Sequence, residues 1–407
     1  MKKTLAAVAV LGAFAGTALA ADVTLYGKID AGLNYTHVSK DGSASTDDFS
    51  MKSGQNSGSR FGLKGTEQIA DGLTVGFQLE SGFESDDGSL KYGKKDNDRI
   101  FGREARLYVQ TNFGEFGFGR MGGLDSGVGS YDLIADSNPF GTGWGGATGQ
   151  MDNYFMGLTS RYDNMITYKS PEFAGLTVVA QASLKRDADA DGDEGSHLAD
   201  RYYAIGLGAD YGALTGALTF SMQDYGGMTA DHKTGFGGNA IQDYDWNDKD
   251  GYAVTAFGAY DFGVTKVSLG AQYFDNVAQS RGSTTFEYAL NDKTGQYGAK
   301  YGDTSVGVTG YGVILGAITP IAGGSLYTAI GYADYEASKL DTADEGAKKF
   351  DGQNYGIGIG YQYPLSKRTY VYTAASWNRA TENDGGVNDK DVDTDTTEVM
   401  AGIVHNF

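Results

Sequence analysis

The 407-residue chain carries 52 acidic and 32 basic side chains, giving a net charge of −20, and it contains no cysteine. This acidity argues against nucleic acid as a partner, because binding to phosphates requires a positive surface. The lack of cysteine excludes small disulfide-stapled folds. The 63 glycines, 28 tyrosines and 20 phenylalanines, with only 4 prolines, favour many strands and tight turns over helices.

The first twenty residues, MKKTLAAVAVLGAFAGTALA, have the pattern of an export signal. Two lysines precede an apolar run that ends in Ala18-Leu19-Ala20, which is typical of a secretory signal peptide cleaved after Ala20. The run is shorter than the roughly 20 apolar residues that a membrane-spanning helix requires. We therefore expect residues 21–407 to form a single mature domain, and loss of Lys2 and Lys3 takes its net charge to −22.

The mature chain opens with a strand of strict alternation, VTLYGKIDAGLNY at 23–35. Apolar residues such as Leu25 and Ile29 fall on one face, and charged residues such as Lys28 and Asp30 fall on the other. This period of two is the sequence signal of a half-buried strand. It recurs at 73–83, 101–111, 176–185, 306–318 and 369–377.

The connections between these strands fall into two lengths that alternate along the chain. The short ones are Ile69–Gly72, Asn112–Glu115, Ser170–Gly175, Tyr211–Ala213, Phe262–Val264, Pro320–Gly324 and Tyr363–Ser366. The long ones lie at about 37–56, 85–99, 122–160, 186–200, 225–250, 276–303, 336–351 and 379–394. These turns and loops join sixteen strands, an even number, and both ends of the mature chain fall on the short-turn side.

This organisation predicts an all-β fold, a 16-stranded antiparallel transmembrane β-barrel with short periplasmic turns and long external loops. In lipid the sheet has to close, because an open edge would leave backbone groups without hydrogen bonds. A soluble β-sandwich also has alternating strands. Sixteen strands are many for that fold, however, and its loops would not separate so clearly by length.

The last stretch, EVMAGIVHNF, reads as a strand that stops on Phe407. Chain ends usually fray and are polar, so an aromatic residue at this place needs a physical reason. In a closed barrel the last strand pairs with the first, near Val23, and Phe407 falls in the aromatic girdle at the periplasmic membrane interface. We expect Phe407 to support barrel closure and assembly.

Five stretches resemble the general porins of Gram-negative bacteria, most closely the trimeric 16-stranded type of β-proteobacteria. They are ADVTLYGKIDAGLNY at 21–35, SRFGLKGTEQIADGLTVGFQLE at 59–80, GEFGFGR at 114–120, SRYDNMITYKSPEFAGL at 160–176 and AGIVHNF at 401–407. The resemblance implies a homotrimer of water-filled pores in the outer membrane, surrounded by lipid and lipopolysaccharide. It implies passive diffusion of ions and small hydrophilic solutes, with no cofactor and no enzymatic activity.

The longest connection, Gly122–Ser160, is acidic and has no lysine or arginine. Loops of this length are uncommon unless they are functional, and the resemblance implies that this one folds into its own barrel and narrows it. Its four carboxylates would then line the constriction: Asp125, Asp132, Asp136 and Asp152. The alternative is a solvated surface loop. Many family members carry a Pro-Glu-Phe-Gly-Gly tip, whereas this chain has NPFG at 138–141, so carboxylate positions do not transfer one for one.

The opposite wall is expected to be basic. Alternation points Lys28, Arg60, Lys64, Arg106 and Arg161 into the lumen. Simple parity groups Arg120 with outward Phe116 and Phe118, which is costly in lipid, so a bulge or a position at the rim is required there. The family pattern places this arginine in the pore. A positive wall that faces a negative loop follows the charged-ring logic of selective pores. The alternative is charges that lumen water merely solvates.

Two further motifs do not support a cofactor or metal site. The stretch DADADGDEG at 187–195 begins like a calcium loop, but its twelfth position is Leu198 instead of the required Glu, which favours a solvated acidic loop. Gly117, Gly119 and Gly122 match a dinucleotide fingerprint, yet no βαβ unit follows them.

Two other functions stay open at this point. A substrate-specific channel would need a line of aromatic residues or dedicated ligands along the lumen, which inward Tyr26 and Tyr108 do not form alone. An adhesin or a lipid hydrolase on the same scaffold is the third possibility. The four histidines, at 37, 197, 232 and 405, form no catalytic set with Ser and Asp at the level of the sequence.

The charges predict weak selectivity for cations. The basic wall opposes the acidic loop and inward Asp30, Glu80 and Glu104, so the charges at the constriction nearly cancel. The remaining negative charge lies largely in external loops such as 186–200 and 379–394. A negative pore mouth raises the local cation concentration, an effect that is screened beyond about 8 Å at physiological ionic strength. The selectivity should therefore fade as salt rises.

Overall fold

A computed structural model describes residues 23–92, 99–148, 151–158, 161–187, 193–196, 199–224, 250–277, 286–290, 297–301, 307–337, 351–383 and 391–407. Only the backbone is described for 286–290 and 297–301. The expected signal peptide lies outside these residues, and so do Asp189, Asp191 and Gly192 of the acidic motif. Within this part of the chain, no helix is long and apolar enough to cross a bilayer.

Sixteen strands of the described residues form the wall of one closed antiparallel barrel. They are β1 Thr24–Lys40, β3 Arg60–Ala70, β4 Leu73–Phe83, β6 Glu104–Thr111, β7 Gly114–Met121, β8 Tyr162–Lys169, β9 Leu176–Ser183, β10 Arg201–Tyr211, β11 Leu214–Asp224, β12 Gly251–Asp261, β13 Lys266–Val277, β16 Val308–Ile321, β17 Gly324–Ala337, β18 Asp351–Pro364, β19 Thr369–Asn383 and β20 Asp391–Asn406. Four shorter strands belong to long loops: β2 Thr46–Ser53, β5 Leu90–Lys91, β14 Phe286–Leu290 and β15 Tyr297–Tyr301.

The barrel closes where β20 pairs with β1. Their antiparallel register runs from Lys28 opposite Asn406 to Lys40 opposite Thr394. One step beyond β20, the amide of Phe407 donates to the Gly27 carbonyl and the Gly27 amide donates back, both at 3.0 Å. Every barrel strand thus has a partner on each side, as the sequence predicted.

The turns at one end of the barrel are short, and they match the predicted positions. Two residues join β3 to β4, and two residues join β6 to β7. The connection from β17 to β18, at the opposite end of the barrel, is longer. At the long-loop end, two predicted loops are shorter than expected. β1 continues to Lys40 and pairs with β2 through residues 46–53, and β19 and β20 extend to Asn383 and Asp391. The reason is that both faces of a strand meet water beyond the bilayer, so these hairpins lack the regular apolar alternation that marks a membrane-spanning strand.

The two faces of the wall differ in polarity as alternation requires. Outward Ile29 and Leu269 are about half exposed, whereas inward Asp30 and Gln272 are buried. Large aromatic side chains ring the short-turn end on the outside, and these are Phe113, Phe173, Tyr211, Phe262, Tyr363 and Phe407. An apolar outer belt with an aromatic edge is the surface that a lipid bilayer requires.

A bulge in β7 redirects Arg120. The pairing of β7 with β8 shifts register between Gly119 and Met121, and Gly119 adopts φ +123°, a backbone region that favours glycine. The Arg120 guanidinium consequently reaches Asp163 on β8, with Nη1 2.5 Å from Oδ1. The expected departure from simple parity is confirmed.

Candidate functional site

The third long loop is residues 122–160 (loop 3), and its described residues, 122–148 and 151–158, lie inside the barrel. The Leu124 amide donates to the Gln181 side chain at 2.6 Å, and the Met156 amide donates to Gln272 at 2.7 Å. Both glutamines are inward residues, on β9 and β13. A loop whose backbone bonds to inward side chains on separated strands has to run along the inner wall.

A buried carboxylate fastens the middle of loop 3 to β20. Glu398 is 5% exposed and accepts hydrogen bonds from the Ala147 amide at 2.8 Å and the Gly146 amide at 3.3 Å. Asn34 on β1 donates to the same carboxylate at 2.7 Å. A buried charge has to be hydrogen-bonded to be tolerated, and two backbone amides of loop 3 provide part of that hydrogen bonding. Glu398 was not among the lumen residues predicted from the sequence.

Aromatic packing holds the next part of the loop. The Trp144 ring lies 5.5 Å from Phe140, 5.0 Å from Tyr327 on β17 and 5.6 Å from Tyr372 on β19, centroid to centroid. These are separations at which aromatic pairs attract. Trp144 and Phe140 are both buried, so this part of loop 3 resembles a protein core more than a surface loop.

Two of the four predicted loop carboxylates accept hydrogen bonds, one from the barrel wall and one from the backbone of loop 3. Asp125 is buried and accepts from the Tyr202 hydroxyl of β10 at 2.5 Å. Asp132 accepts from the backbone amides of Gly127 at 2.6 Å and Ala135 at 2.7 Å. Burial raises the pKa of Asp132 to about 7, against the lowering effect of those amides.

The other two loop carboxylates lie further along the chain. Asp136 has a largely exposed side chain, and its Oδ2 is 2.8 Å from Lys266 Nζ at the start of β13. Because β13 begins at a short turn, this pair lies towards the short-turn end of the lumen. Asp152 belongs to a single-turn helix, α1 Met151–Tyr154.

On the first strands three basic side chains lie close together, and one of them, Arg60, is paired with Glu80 on β4, with Nε 3.6 Å from Oε2. Lys28 Nζ lies 3.2 Å and Arg60 Nη1 lies 3.4 Å from the same oxygen, Ser57 Oγ. Lys64 stands over the Tyr26 ring at 5.4 Å from its centroid. The structure thus brings Lys28, Arg60 and Lys64 together on the inner face of β1 and β3.

Arg106 joins the basic wall to loop 3. Its guanidinium pairs with Glu104 at 2.8 Å and with Glu115 at 3.0 Å. It also donates to the hydroxyl of Tyr131, a loop 3 residue, at 2.8 Å and stacks on that ring. Arg106 therefore contacts the loop as well as its own wall.

Arg161 and Arg120 lie near the long-loop end of the same wall. Arg161 is buried, donates to the Arg103 carbonyl at 2.5 Å and stacks on Tyr92 at 5.0 Å. Burial, together with the charge of Arg103, lowers the pKa of Arg161 to about 10. Arg120 lies on the same wall, and its guanidinium is paired with the Asp163 carboxylate.

Two arginines of this wall were missed in the sequence. Arg103 Nε is 2.6 Å from Glu80 on β4, and Arg99 Nη2 is 2.9 Å from Asp163. Arg99 lies in the long loop before β6, where alternation gives no orientation. Arg103 shares its parity with outward Leu107 in the predicted strand 101–111, but β6 begins only at Glu104, so that parity does not hold for Arg103. The only available signal was their place next to a strand that carries inward charge.

The lumen is thus divided between two surfaces. The basic wall comes from neighbouring strands, β1, β3, β6 and β7, with Arg161 just before β8. Loop 3 lies along the inner faces from β9 round to β20 and approaches the basic wall through Tyr131. Among the described residues, no group of three or more His, Cys, Asp or Glu is placed to hold a metal ion.

A closed barrel with an apolar outer belt, a charged interior and an internal loop defines a membrane channel. The sequence model of the Gram-negative porin family matches residues 6–385. An outer membrane porin of Bordetella pertussis is 34% identical, over 100% of both chains. The outer membrane porin protein 32 of Delftia acidovorans is 29% identical over 91% of this chain and 88% of its own length.

Solved structures agree on the fold. An anion-selective porin from Comamonas acidovorans superimposes with a TM-score of 0.63 at 23% identity, covering 95% of this chain and 100% of that one. The chain belongs to the Gram-negative porin family. It is an outer-membrane protein whose barrel forms a channel, and its apolar belt lies in lipid.

Proposed function

We propose that loop 3 and the basic wall together bound the narrowest part of the channel. The observation that supports this most directly is the set of hydrogen bonds from the loop backbone to inward side chains, above all those to Glu398 and Gln272. A loop held in this way occupies cross-section that water and solutes would otherwise use. Transport is then passive diffusion of ions and small hydrophilic solutes through the remaining space, without a cofactor or a chemical step.

The proposed constriction has an acidic side and a basic side. The acidic side is formed by loop 3 with Asp125, Asp132, Asp136 and Asp152. The basic side is formed by Lys28, Arg60, Lys64, Arg106, Arg120 and Arg161. Many of these groups are paired with opposite charges, as Arg106 is with Glu104 and Glu115. The net field along the axis is therefore small, and a transverse field remains.

Selectivity should accordingly be decided near the external mouth. The chain carries a net charge of −20, and Asp391, Asp393 and Asp395 stand at the external end of β20. We propose weak cation selectivity that decreases as salt screens the mouth. The Comamonas relative is described as anion-selective, so the opposite sign is the competing outcome.

We also propose that the protein works as a homotrimer and that residues 1–20 are removed during export. The support for the trimer is the resemblance to trimeric porins, together with a barrel whose outer belt is apolar on the membrane-facing side. The support for export is the charged, apolar and small-residue order of the first twenty residues.

Thiol modification tests the constriction, because the chain has no cysteine of its own. Ser130 in loop 3 is exposed, and its hydroxyl lies 3.5 Å from Gln78 on the wall. A bulky charged methanethiosulfonate should cut the current through Ser130→Cys channels. The control is Ser43→Cys, in the exposed turn after β1, which should lose little current. Equal loss in both variants, or no loss in Ser130→Cys, would refute the constriction.

A further inference from the structure

The inner wall carries glycine at the points where loop 3 approaches it most closely. A β-carbon added at Gly331 would lie 2.5 Å from Tyr154 Cζ, and one added at Gly360 would lie 2.9 Å from Trp144 Cζ3. At Gly356 it would meet both the Tyr154 hydroxyl, at 2.7 Å, and the Trp377 carbonyl of the next strand, at 2.6 Å. Carbon atoms that pack without strain stay about 3.5–4.0 Å apart. These positions therefore leave no room for a side chain while loop 3 keeps its place. The glycines in question are Gly206, Gly312, Gly316, Gly331, Gly356 and Gly360.

Tyr154 is the centre of this contact. Its side chain is fully buried, and its ring and hydroxyl lie against Gly331 and Gly356 on β17 and β18. Its own carbonyl oxygen occupies the space that a β-carbon at Gly312 on β16 would take. Three neighbouring strands thus present bare backbone to a single loop residue.

The contact extends along the loop in both directions. Pro139 fills the space beside Gly316, and Leu133 Cδ1 would be 2.6 Å from a β-carbon at Gly206 on β10. By contrast, Gly258 on β12 alternates with Tyr252, Val254 and Tyr260 on the outward face of the wall, and no atom lies within 4 Å of such a β-carbon there. A side chain at Gly206 or Gly316 would therefore meet loop 3, whereas a side chain at Gly258 would meet no neighbour.

We infer that these six inward glycines are specificity-determining positions, because they set the distance between loop 3 and the wall and so the size limit for solutes. The inference rests on the proposed constriction. A side chain on the wall would displace the loop into the lumen, since the barrel wall is held by its ladder of hydrogen bonds on both sides. The anchors at Glu398 and Gln272 are unaffected by such a change and would keep the loop inside the barrel.

The size of the displacement can be bounded. A β-carbon at Gly331 would lie 2.5 Å from Tyr154 Cζ. Restoring a separation of about 3.5–4.0 Å requires the ring to retreat by at least about 1 Å, and the γ-methyls of valine add to that. Moving the Tyr154 ring by this distance would reduce the open cross-section of the constriction. The same substitution on the outward face of the wall would leave that cross-section unchanged.

The test compares Gly331→Val and Gly360→Val with Gly258→Val, which adds the same side chain to the outward face of a wall strand and so controls for folding and insertion. Single-channel conductance in planar bilayers and the swelling of proteoliposomes in sugars of increasing size are the readouts. Both inward variants should show lower conductance and exclude sugars that the wild type admits, while Gly258→Val should behave as wild type. Heat-dependent gel migration identifies folded protein, and two inward variants are used so that one poorly folding variant does not decide the result.

A second pair of variants separates this inference from the constriction on which it rests. Tyr154→Ala should change conductance by itself, and the double variant Gly331→Val with Tyr154→Ala should recover the conductance lost in Gly331→Val. Wild-type conductance in both inward glycine variants, with an effect in Tyr154→Ala, would overturn the role of the glycines alone. Wild-type conductance in all three single variants would overturn the constriction as well.

Discussion

Individual lumen residues have roles that depend on partners far away in the sequence. Alternation and loop length were enough to predict that loop 3 carries lumen carboxylates. They could not predict that Asp125 bonds to Tyr202, 77 positions later, or that Asp136 pairs with Lys266, 130 positions later. Glu398 was missed for the same reason, since its donors lie about 250 positions earlier, in loop 3. The sequence supplies the charges, and the fold decides which of them meet.

Replacing Glu398 by alanine should loosen loop 3. The Ala147 amide and Asn34 lose a charged acceptor inside the barrel, and each such hydrogen bond contributes about 1.5–3 kcal/mol. Loss of that amount corresponds to roughly ten- to a hundredfold faster local opening. Hydrogen exchange of amides 143–148 measures it, with exposed Glu172→Ala as the control. Unchanged exchange in Glu398→Ala would show that this carboxylate does not hold the loop.

For the strands, alternation and turn length were enough to predict the sixteen strands of the membrane-spanning wall. The short turns lie where the sequence predicted them. For Arg120, parity required either a bulge or a position at the rim, and β7 has a bulge there. The external hairpins were not predicted, because both faces of a strand beyond the membrane meet water. There, cross-strand pairs such as Arg379 with Asp395, at 2.7 Å, support the extended register instead of apolar alternation.

Deleting Phe407 should impair assembly more than it harms any folded pore. The residue contributes both backbone hydrogen bonds to Gly27, and its ring lies against the same glycine at the seam between β20 and β1. By resemblance, it also belongs to the signal that the outer-membrane insertion machinery reads. The measurement is the amount of heat-modifiable protein in outer-membrane fractions, beside the single-channel conductance of what does assemble. Wild-type levels of the deleted protein would contradict the expectation.

For the whole molecule, two facts explain most of the composition: the barrel closes within lipid, and charged side chains are kept to its interior and its external segments. Outward apolar side chains meet the bilayer, inward charged residues meet water, and acidic external segments account for much of the net charge of −20. The path of loop 3 is the part that composition and alternation do not determine. It depends on the fit of residues such as Tyr154 and Pro139 over glycine on the wall.

The assembled protein should be a trimer that resists SDS. The expectation rests on the resemblance to trimeric porins and on a closed barrel in which every wall strand pairs on both sides. Unheated samples should migrate as a large oligomer and shift to the monomer position after boiling. If correctly refolded protein runs as a folded monomer before heating, the trimer is wrong while the barrel stands.

If loop 3 and its carboxylates line the conducting path, then reversal potentials in a KCl gradient should depend on those carboxylates. Wild type is compared at low and high salt with a variant in which Asp125, Asp132, Asp136 and Asp152 are all changed to Asn, and with Glu172→Gln as the control. We expect weak cation preference in the wild type at low salt, a smaller preference at high salt, and a shift towards anions in the quadruple variant only. Anion preference in the wild type at low salt would contradict the selectivity. An unchanged reversal potential in the quadruple variant would contradict the place of loop 3 in the path.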